Sequence, residues 1–118
     1  MKVTSTSIEN GYIKDEFGGK GTQFHKGRFP SYSMQFEIHD APEGTRSFAV
    51  IMDDDDACTA CGFTWVHWLI ANLKRTVVEE NESITAKDFV QGCNSCHACF
   101  DRMAAEYTSY YSGPQPPN

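Results

Sequence analysis

Polar and apolar residues alternate in the segment SMQFEIHD, residues 33–40, where Met34, Phe36 and Ile38 are the apolar positions. A period of two predicts a β-strand with one buried face, because successive side chains of a strand point to opposite faces of its sheet. On this pattern His39 points outward. Two further runs, SFAVIM at 47–52 and WVHWLIANL at 65–73, are apolar on both faces, which predicts two central strands.

Helix formers are concentrated in CHACFDRMAAEY, residues 96–107, which we predict to hold the one helix of the chain. The glycine-rich segment FGGKGTQFHKGRFP, 17–30, predicts a surface loop, and its GGKGT lacks the spacing of a phosphate-binding loop. The elements together predict one mostly β domain over residues 1–118 with few short helices.

Charge and hydropathy narrow the class of protein. The net charge is -6 and the lysines and arginines form no cluster, which argues against a nonspecific grip on nucleic acid and against an anionic membrane surface. The N-terminus does not resemble an export signal, and no window approaches eighteen apolar residues. We therefore expect a cytoplasmic protein without a membrane span.

Four consecutive aspartates, residues 53–56, follow the second predicted strand. Strand alternation would turn two of them inward, so either they take part in a site or the strand opens into a loop whose carboxylates accept backbone N–H groups. His67 lies within the next apolar strand, either as a hydrogen-bonded core residue or at a pocket wall with a carboxylate as its partner.

Five cysteines include two CxxC pairs, Cys58 with Cys61 and Cys93 with Cys96. Four thiolates so arranged could hold structural zinc, which is the alternative function that the sequence offers. Free thiols are the simpler interpretation, with Cys99 as a fifth. CNSCH, 93–97, fits the pattern for haem attachment, but attachment requires export, so we predict no cofactor.

The C-terminal segment YYSGPQPPN, residues 110–118, has a backbone poor in N–H donors, because three prolines fix φ and remove donors. Gly113 permits a turn that other residues cannot make. The remaining N–H groups, such as that of Gln115, would then point in fixed directions suited to an anion.

Four segments in this order, APEGTRSFAVIM, DDDA, WVHWLIANL and YYSGPQPP, resemble the phosphatidylethanolamine-binding protein family, more closely its bacterial Raf-kinase-inhibitor-like branch. They span residues 42–117, and residues 1–13 resemble the first strand of the family. The resemblance implies a β-sandwich with a small pocket for phosphate, acetate or a phospholipid head group. Its binding positions fall on Asp54, Asp56, His67, Gly113, Pro114, Gln115 and Pro116. A register shifted by one residue would implicate Asp53 instead.

The sequence departs from the family at several places, among them residues 93–108, which differ from the usual loop of the family. Asp55 and Cys58 stand where the family has prolines, and the chain ends before the His-Arg-Tyr block and the C-terminal core strand that usually follow. We therefore expect a truncated or shortened form, in which a partner chain such as a second copy in a homodimer covers the exposed sheet edge.

A mechanism follows for the pocket. We expect Asp54 to favour the protonated form of His67. His67 and the backbone of residues 113–117 would then hold an anion, and Asp56 would accept hydrogen bonds from backbone N–H groups. Binding would then weaken as the pH rises. No serine nucleophile motif accompanies the Asp–His pair, so we expect a binding protein and not an enzyme. A regulatory role follows from the family name alone, and the sequence identifies no protein partner.

Overall fold

The computed structural model describes residues 1–98 and 103–116. Its strands are β1 (Lys2–Thr4), β2 (Ile8–Glu9), β3 (Tyr12–Ile13), β4 (Phe24–His25), β5 (Phe29–Pro30), β6 (Phe36–His39), β7 (Phe48–Asp54), β8 (Trp65–Leu73), β9 (Val77–Val78) and β10 (Val90–Gly92). The helices are single turns, α1 (Cys58–Cys61), α2 (Glu82–Thr85) and α3 (Ala105–Thr108). Short 3-10 turns cover Asp15–Phe17, Asp55–Ala57 and Ser95–His97.

Two antiparallel three-stranded sheets form the centre of the fold, with strand orders β1-β6-β9 and β10-β8-β7. Their facing side chains share one buried core, in which Phe36 of β6 meets Trp68 of β8 edge to face at 5.9 Å between ring centroids. Tyr111, from the C-terminal segment, also packs against Trp68, at 5.4 Å between ring centroids. The predicted mostly β fold with few short helices is confirmed.

The alternating pattern located β6 correctly, with Phe36 and Ile38 buried and His39 at the surface, hydrogen-bonded to Thr4 Oγ1 at 2.7 Å. Gln35, expected on the outer face, is buried instead. Its Oε1 accepts the backbone N–H of Thr6 at 2.8 Å, because the N-terminal segment crosses over it. A long-range contact of this kind leaves no mark in the local pattern.

The prediction that β7 is covered on both faces is wrong. Val50 and Met52 are half-buried, whereas Ala49 and Ile51 between them are exposed, Ile51 to 67%. Among the described residues β7 pairs only with β8, so it lies at the edge of its sheet. β8 is the central strand, as predicted, with Trp68 buried.

Two other expectations also need correction. Segment 17–30 is not simply a surface loop, because Phe17, Phe29 and Pro30 are buried and β4 pairs with β5 within it. The helix predicted over 96–107 is limited in the described part to α3, and residues 99–102 lie outside the described ranges. α1 was missed although Gly62 follows it with φ of 86°, a common helix ending.

Among the described residues, no helix has the length and apolar character needed to cross a membrane.

Candidate functional site

His67 is the buried ionisable group of the candidate site, and the geometry of β7 and β8 explains its position. Met52 pairs with Trp68 and Asp53 pairs with Val66, so the register slips by one residue opposite His67. The imidazole is only 7% exposed. A bulge of this kind bends the strand and changes the direction of the side chain at the unpaired position.

The C-terminal segment fixes the orientation of the imidazole. His67 Nδ1 lies 2.6 Å from the carbonyl oxygen of Ser112, and the Ser112 N–H donates to the His67 carbonyl at 2.9 Å. A carbonyl oxygen can only accept, so Nδ1 carries the hydrogen and Nε2 is the nitrogen left to meet a ligand. Sequence reasoning missed Ser112, although it directly precedes Gly113 of the predicted loop.

Burial lowers the pKa of His67 from 6.5, and this effect outweighs the hydrogen bond to Ser112 and the negative charges of Asp54 and Asp53, which raise it. Asp54 thus favours the protonated form of His67, as expected, but its effect is smaller than that of burial, so the pKa of His67 still lies below 6.5. In the neutral ring Nε2 is a hydrogen-bond acceptor, and protonation at lower pH converts it to a donor.

The aspartates do not form the expected inward pair. Asp54 is half-buried and its Oδ1 accepts the backbone N–H of Asp56 at 3.0 Å, which caps the 3-10 turn Asp55–Ala57. Asp56 is exposed, so the role of N–H acceptor that we expected for Asp56 belongs to Asp54. Asp55 is exposed, and its carboxylate accepts the Thr64 hydroxyl at 2.7 Å, which ties the turn to the chain entering β8. Of the four, Asp54 and Asp53 act electrostatically on His67.

The proline-rich loop is held against the N-terminal half of the chain. The Gly113 N–H donates to the Pro30 carbonyl at 2.9 Å, and a Cβ on Gly113 would lie 2.0 Å from the Phe17 carbonyl oxygen. The Pro114 carbonyl accepts the Gly19 N–H at 2.9 Å. Gln115 and Pro116 follow at the surface, and Pro117 lies outside the described residues.

Three of the predicted binding residues border one cleft of the structure. The residues Pro114, Gln115 and Pro116 border an open cleft of about 500 Å³, whose other lining residues are Ile13, Lys14, Asp15, Gly18, Gly19 and Lys20. Neither His67 nor Asp54 lines this cleft. A smaller cavity of about 180 Å³ lies elsewhere, between Glu16, Thr22, Gln23, Tyr32 and Glu80. The loop therefore links two places, His67 through Ser112 and the cleft through Pro114.

The structure does not support the alternative zinc site. Cys58, Cys61 and Cys93 are free thiols, and no group of three or more potential metal ligands occurs within residues 1–98 and 103–116. Cys58 contacts the Thr64 hydroxyl at 3.8 Å, whereas Cys96 contacts the Ser112 hydroxyl at 3.4 Å. The two CxxC pairs belong to separate parts of the fold, and Cys99 lies outside the described residues.

A family model described as phosphatidylethanolamine-binding protein matches residues 4–118. The uncharacterized protein YxkA of Bacillus subtilis is 31% identical over 115 residues, which cover 92% of this chain and 68% of that protein. The UPF0098 protein of Aquifex aeolicus is 35% identical over 117 residues, covering 99% of this chain and 59% of the relative. The UPF0098 protein YbcL of Escherichia coli is 53% identical over 80 residues, 65% of this chain and 40% of YbcL. The chain thus spans only part of the length of each relative.

Solved structures agree with these sequence matches. The crystal structure of E. coli YbcL, described as a new member of the mammalian PEBP family, superposes with a TM-score of 0.68 at 26% identity. The superposition covers 98% of this chain and 66% of YbcL. The CT736 protein of Chlamydia trachomatis gives the same TM-score at 23% identity, over 98% of this chain and 65% of CT736, and shows the shared fold.

Proposed function

The chain belongs to the phosphatidylethanolamine-binding protein family, and we propose that it binds a phospholipid head group or a similar small anion without catalysing its conversion. The observation that carries the proposal is the arrangement of His67, a buried imidazole whose Nδ1 is held by Ser112 so that Nε2 is left for a ligand. The proposed contacts are Asp54, Asp56, His67 and the loop of Gly113, Pro114, Gln115 and Pro116.

Charge favours a zwitterionic ligand over a simple anion at this site. A bare anion about 4 Å from Asp54 would meet a repulsion of about 4 kcal/mol at an effective dielectric of 20. A phosphoethanolamine group carries an ammonium beside its phosphate. The ammonium can approach Asp54 and Asp56 while the phosphate oxygens approach Nε2 of His67.

The protonation of His67 then controls affinity. Burial holds its pKa below 6.5, so the ring is largely neutral near pH 7 and Nε2 cannot donate to a phosphate oxygen. Below that pKa the ring gains a proton and a positive charge. A phosphodiester keeps one negative charge throughout this range, and we therefore expect its binding to strengthen as the pH falls.

The hydrogen bond of His67 supports a binding role and not catalysis. It goes to the carbonyl oxygen of Ser112 and not to the hydroxyl, so Nδ1 does not activate the Ser112 hydroxyl as a nucleophile. Regulation of a kinase would need a protein-binding surface that nothing in the described part of the fold singles out, so the proposal is limited to ligand binding.

The test is an NMR titration with glycerophosphoethanolamine, a soluble diester head group, at about pH 5.5 and about pH 7.5. We expect tighter binding at the lower pH, and His67→Gln to weaken it roughly tenfold there, the worth of one charge-assisted hydrogen bond. His39→Gln, at the surface of β6, is the matched control and should bind like the wild type. Equal affinity of His67→Gln and wild type at both pH values would refute the site, and cleavage of the diester would refute the non-catalytic role.

A further inference from the structure

The cleft of about 500 Å³ beside the proline-rich loop has the size of a ligand site, although it contains none of the site aspartates or the histidine discussed above. Three chain segments form its walls, residues 13–15, 18–20 and 114–116. We refer to it as the lysine cleft, after Lys14 and Lys20 in its lining.

The walls of the lysine cleft are held in place by the backbone. The Gly19 N–H donates to the Pro114 carbonyl at 2.9 Å, and the Lys14 N–H donates to the Ser7 carbonyl at 2.9 Å. A Cβ on Gly18 would lie 2.7 Å from the Pro114 oxygen, so the two segments approach as closely as glycine allows. Prolines on the third wall fix their own φ angles. A ligand would therefore lose little affinity to the entropy cost of ordering this backbone.

The charge of the lysine cleft is opposite to that of the chain. The whole sequence carries a net charge of -6, whereas the cleft lining has two lysines and one aspartate, Asp15, which sum to +1. Within the described part of the chain, neither lysine ammonium forms an ion pair or a hydrogen bond. The cleft thus carries a net positive charge on an otherwise acidic protein.

Backbone donors add to these cations. The N–H groups of Lys20 and Gln115 have no acceptor within the described residues. Two ammonium groups and two N–H groups are the donor set that a phosphate group, with its several acceptor oxygens, can use. A phosphate monoester carries a charge close to -2 near neutral pH, which matches two lysines better than a singly charged diester or carboxylate does.

We propose that the lysine cleft binds a phosphate monoester, with Lys14 and Lys20 as its cationic contacts. This site differs from the diester site at His67 in its cationic contacts, Lys14 and Lys20, and in the charge of its ligand, while both sites adjoin the loop of residues 114–116. Asp15 opposes binding and sets a limit on affinity. Since the second ionisation of the phosphate has a pKa of about 6, binding should strengthen as the pH rises through that value, the reverse of the dependence expected at His67.

The test compares two double variants with the same change in net charge. Lys14→Gln/Lys20→Gln alters the cleft, and Lys74→Gln/Lys87→Gln removes two exposed lysines that do not line it. Glycerol 3-phosphate is titrated into each near pH 7.5 and followed by NMR. We expect the cleft variant to bind roughly tenfold more weakly, at about threefold per solvent-accessible charge contact, and the control variant to bind as the wild type.

A second arm separates a free ligand from a lipid. Phosphatidylcholine vesicles with and without phosphatidic acid, whose phosphate is also a monoester, are sedimented with each protein. If the vesicles capture the protein only when they contain phosphatidic acid and only when Lys14 and Lys20 are present, the ligand is a lipid. If the protein binds glycerol 3-phosphate but not these vesicles, the ligand is a small molecule.

Three results would overturn the proposal. These are no binding of either monoester, equal binding by the two double variants, and a monoester affinity that depends on His67 and not on the lysines. The last result would place the monoester in the His67 site, and it would leave the proposed function intact. Loss of diester binding in His67→Gln with monoester binding retained would instead separate the two sites.

Discussion

Replacing Gly113 by alanine should destabilise the fold and displace the loop that reaches His67. The new Cβ would stand 2.0 Å from the Phe17 carbonyl oxygen and 3.0 Å from Cβ of Pro30. Favourable contacts between heavy atoms begin near 3.5 Å, so the loop or its neighbour has to move by more than about 1 Å. The same atoms hold the loop, since the Gly113 N–H donates to Pro30 and the Tyr111 hydroxyl donates to the Phe17 carbonyl at 2.8 Å.

The magnitude follows from these contacts. Forcing a methyl group into a packed site costs about 1–3 kcal/mol, and each hydrogen bond strained or lost costs about 0.5–1.5 kcal/mol. With two hydrogen bonds at risk, we expect Gly113→Ala to lower the free energy of unfolding by about 2–6 kcal/mol. A domain of this size has about 5–15 kcal/mol in total, so a large share of the stability depends on this one contact.

Urea unfolding measures the loss, with Gly44→Ala as the control. Gly44 has φ of 86°, and a Cβ added there would meet no atom within 4 Å, so its substitution reports only the backbone cost. That cost is about 1–2 kcal/mol for a left-handed residue. Gly113 is not among the described glycines with positive φ, so its cost is steric. The reasoning would be refuted if Gly113→Ala lost no more stability than Gly44→Ala at equal slope against urea.

Two further predictions concern buried groups. NMR titration should give His67 a pKa below 6.5, and Asp54→Asn should lower this pKa further, because the Asp54 charge raises it. A measured pKa above 6.5 would contradict the conclusion that burial is the largest effect on His67. The imidazole has a higher pKa in the unfolded chain than in the folded protein, so between these two pKa values the unfolded chain binds more protons. The stability contributed by His67 is therefore present above pH 6.5 and is lost as the pH falls through the pKa of the folded protein. Tyr111→Phe leaves the buried Phe17 carbonyl without its hydroxyl donor and should cost about 1–3 kcal/mol in urea unfolding; a loss within error of zero would mean that water replaces the donor.

The sequence predicted the elements whose signals are local. Alternation located β6, and the long apolar run located β8, because the side-chain period of a strand is independent of its neighbours. The exposed face of β7 could not be predicted in the same way. An apolar run shows that a strand is hydrophobic, but whether both its faces are covered depends on which other segments fold over it. Strands of two residues such as β4 are too short to show any period.

The residues of the candidate sites that have local signals in the sequence were also predicted, and those that depend on long-range contacts were missed. His67 and Gly113 were found because a histidine in an apolar strand and a glycine among prolines are unusual in themselves. Ser112 was missed because it acts through its backbone carbonyl, which every residue has. Lys14 and Lys20 were missed because the cleft forms only where Gly19 meets Pro114, almost at the opposite end of the chain.

The loop after Tyr111 therefore connects two proposed sites whose ligands should respond to pH in opposite directions. At His67 the protein supplies the titrating group, and burial holds the pKa of this imidazole below 6.5. At the lysine cleft the ligand supplies the titrating group, because the second ionisation of a phosphate monoester has a pKa of about 6. A single ligand bound at one shared site would show one pH profile that His67 and the lysines alter together. Two profiles of opposite slope, each removed by its own substitution, would require two sites on the two sides of one loop.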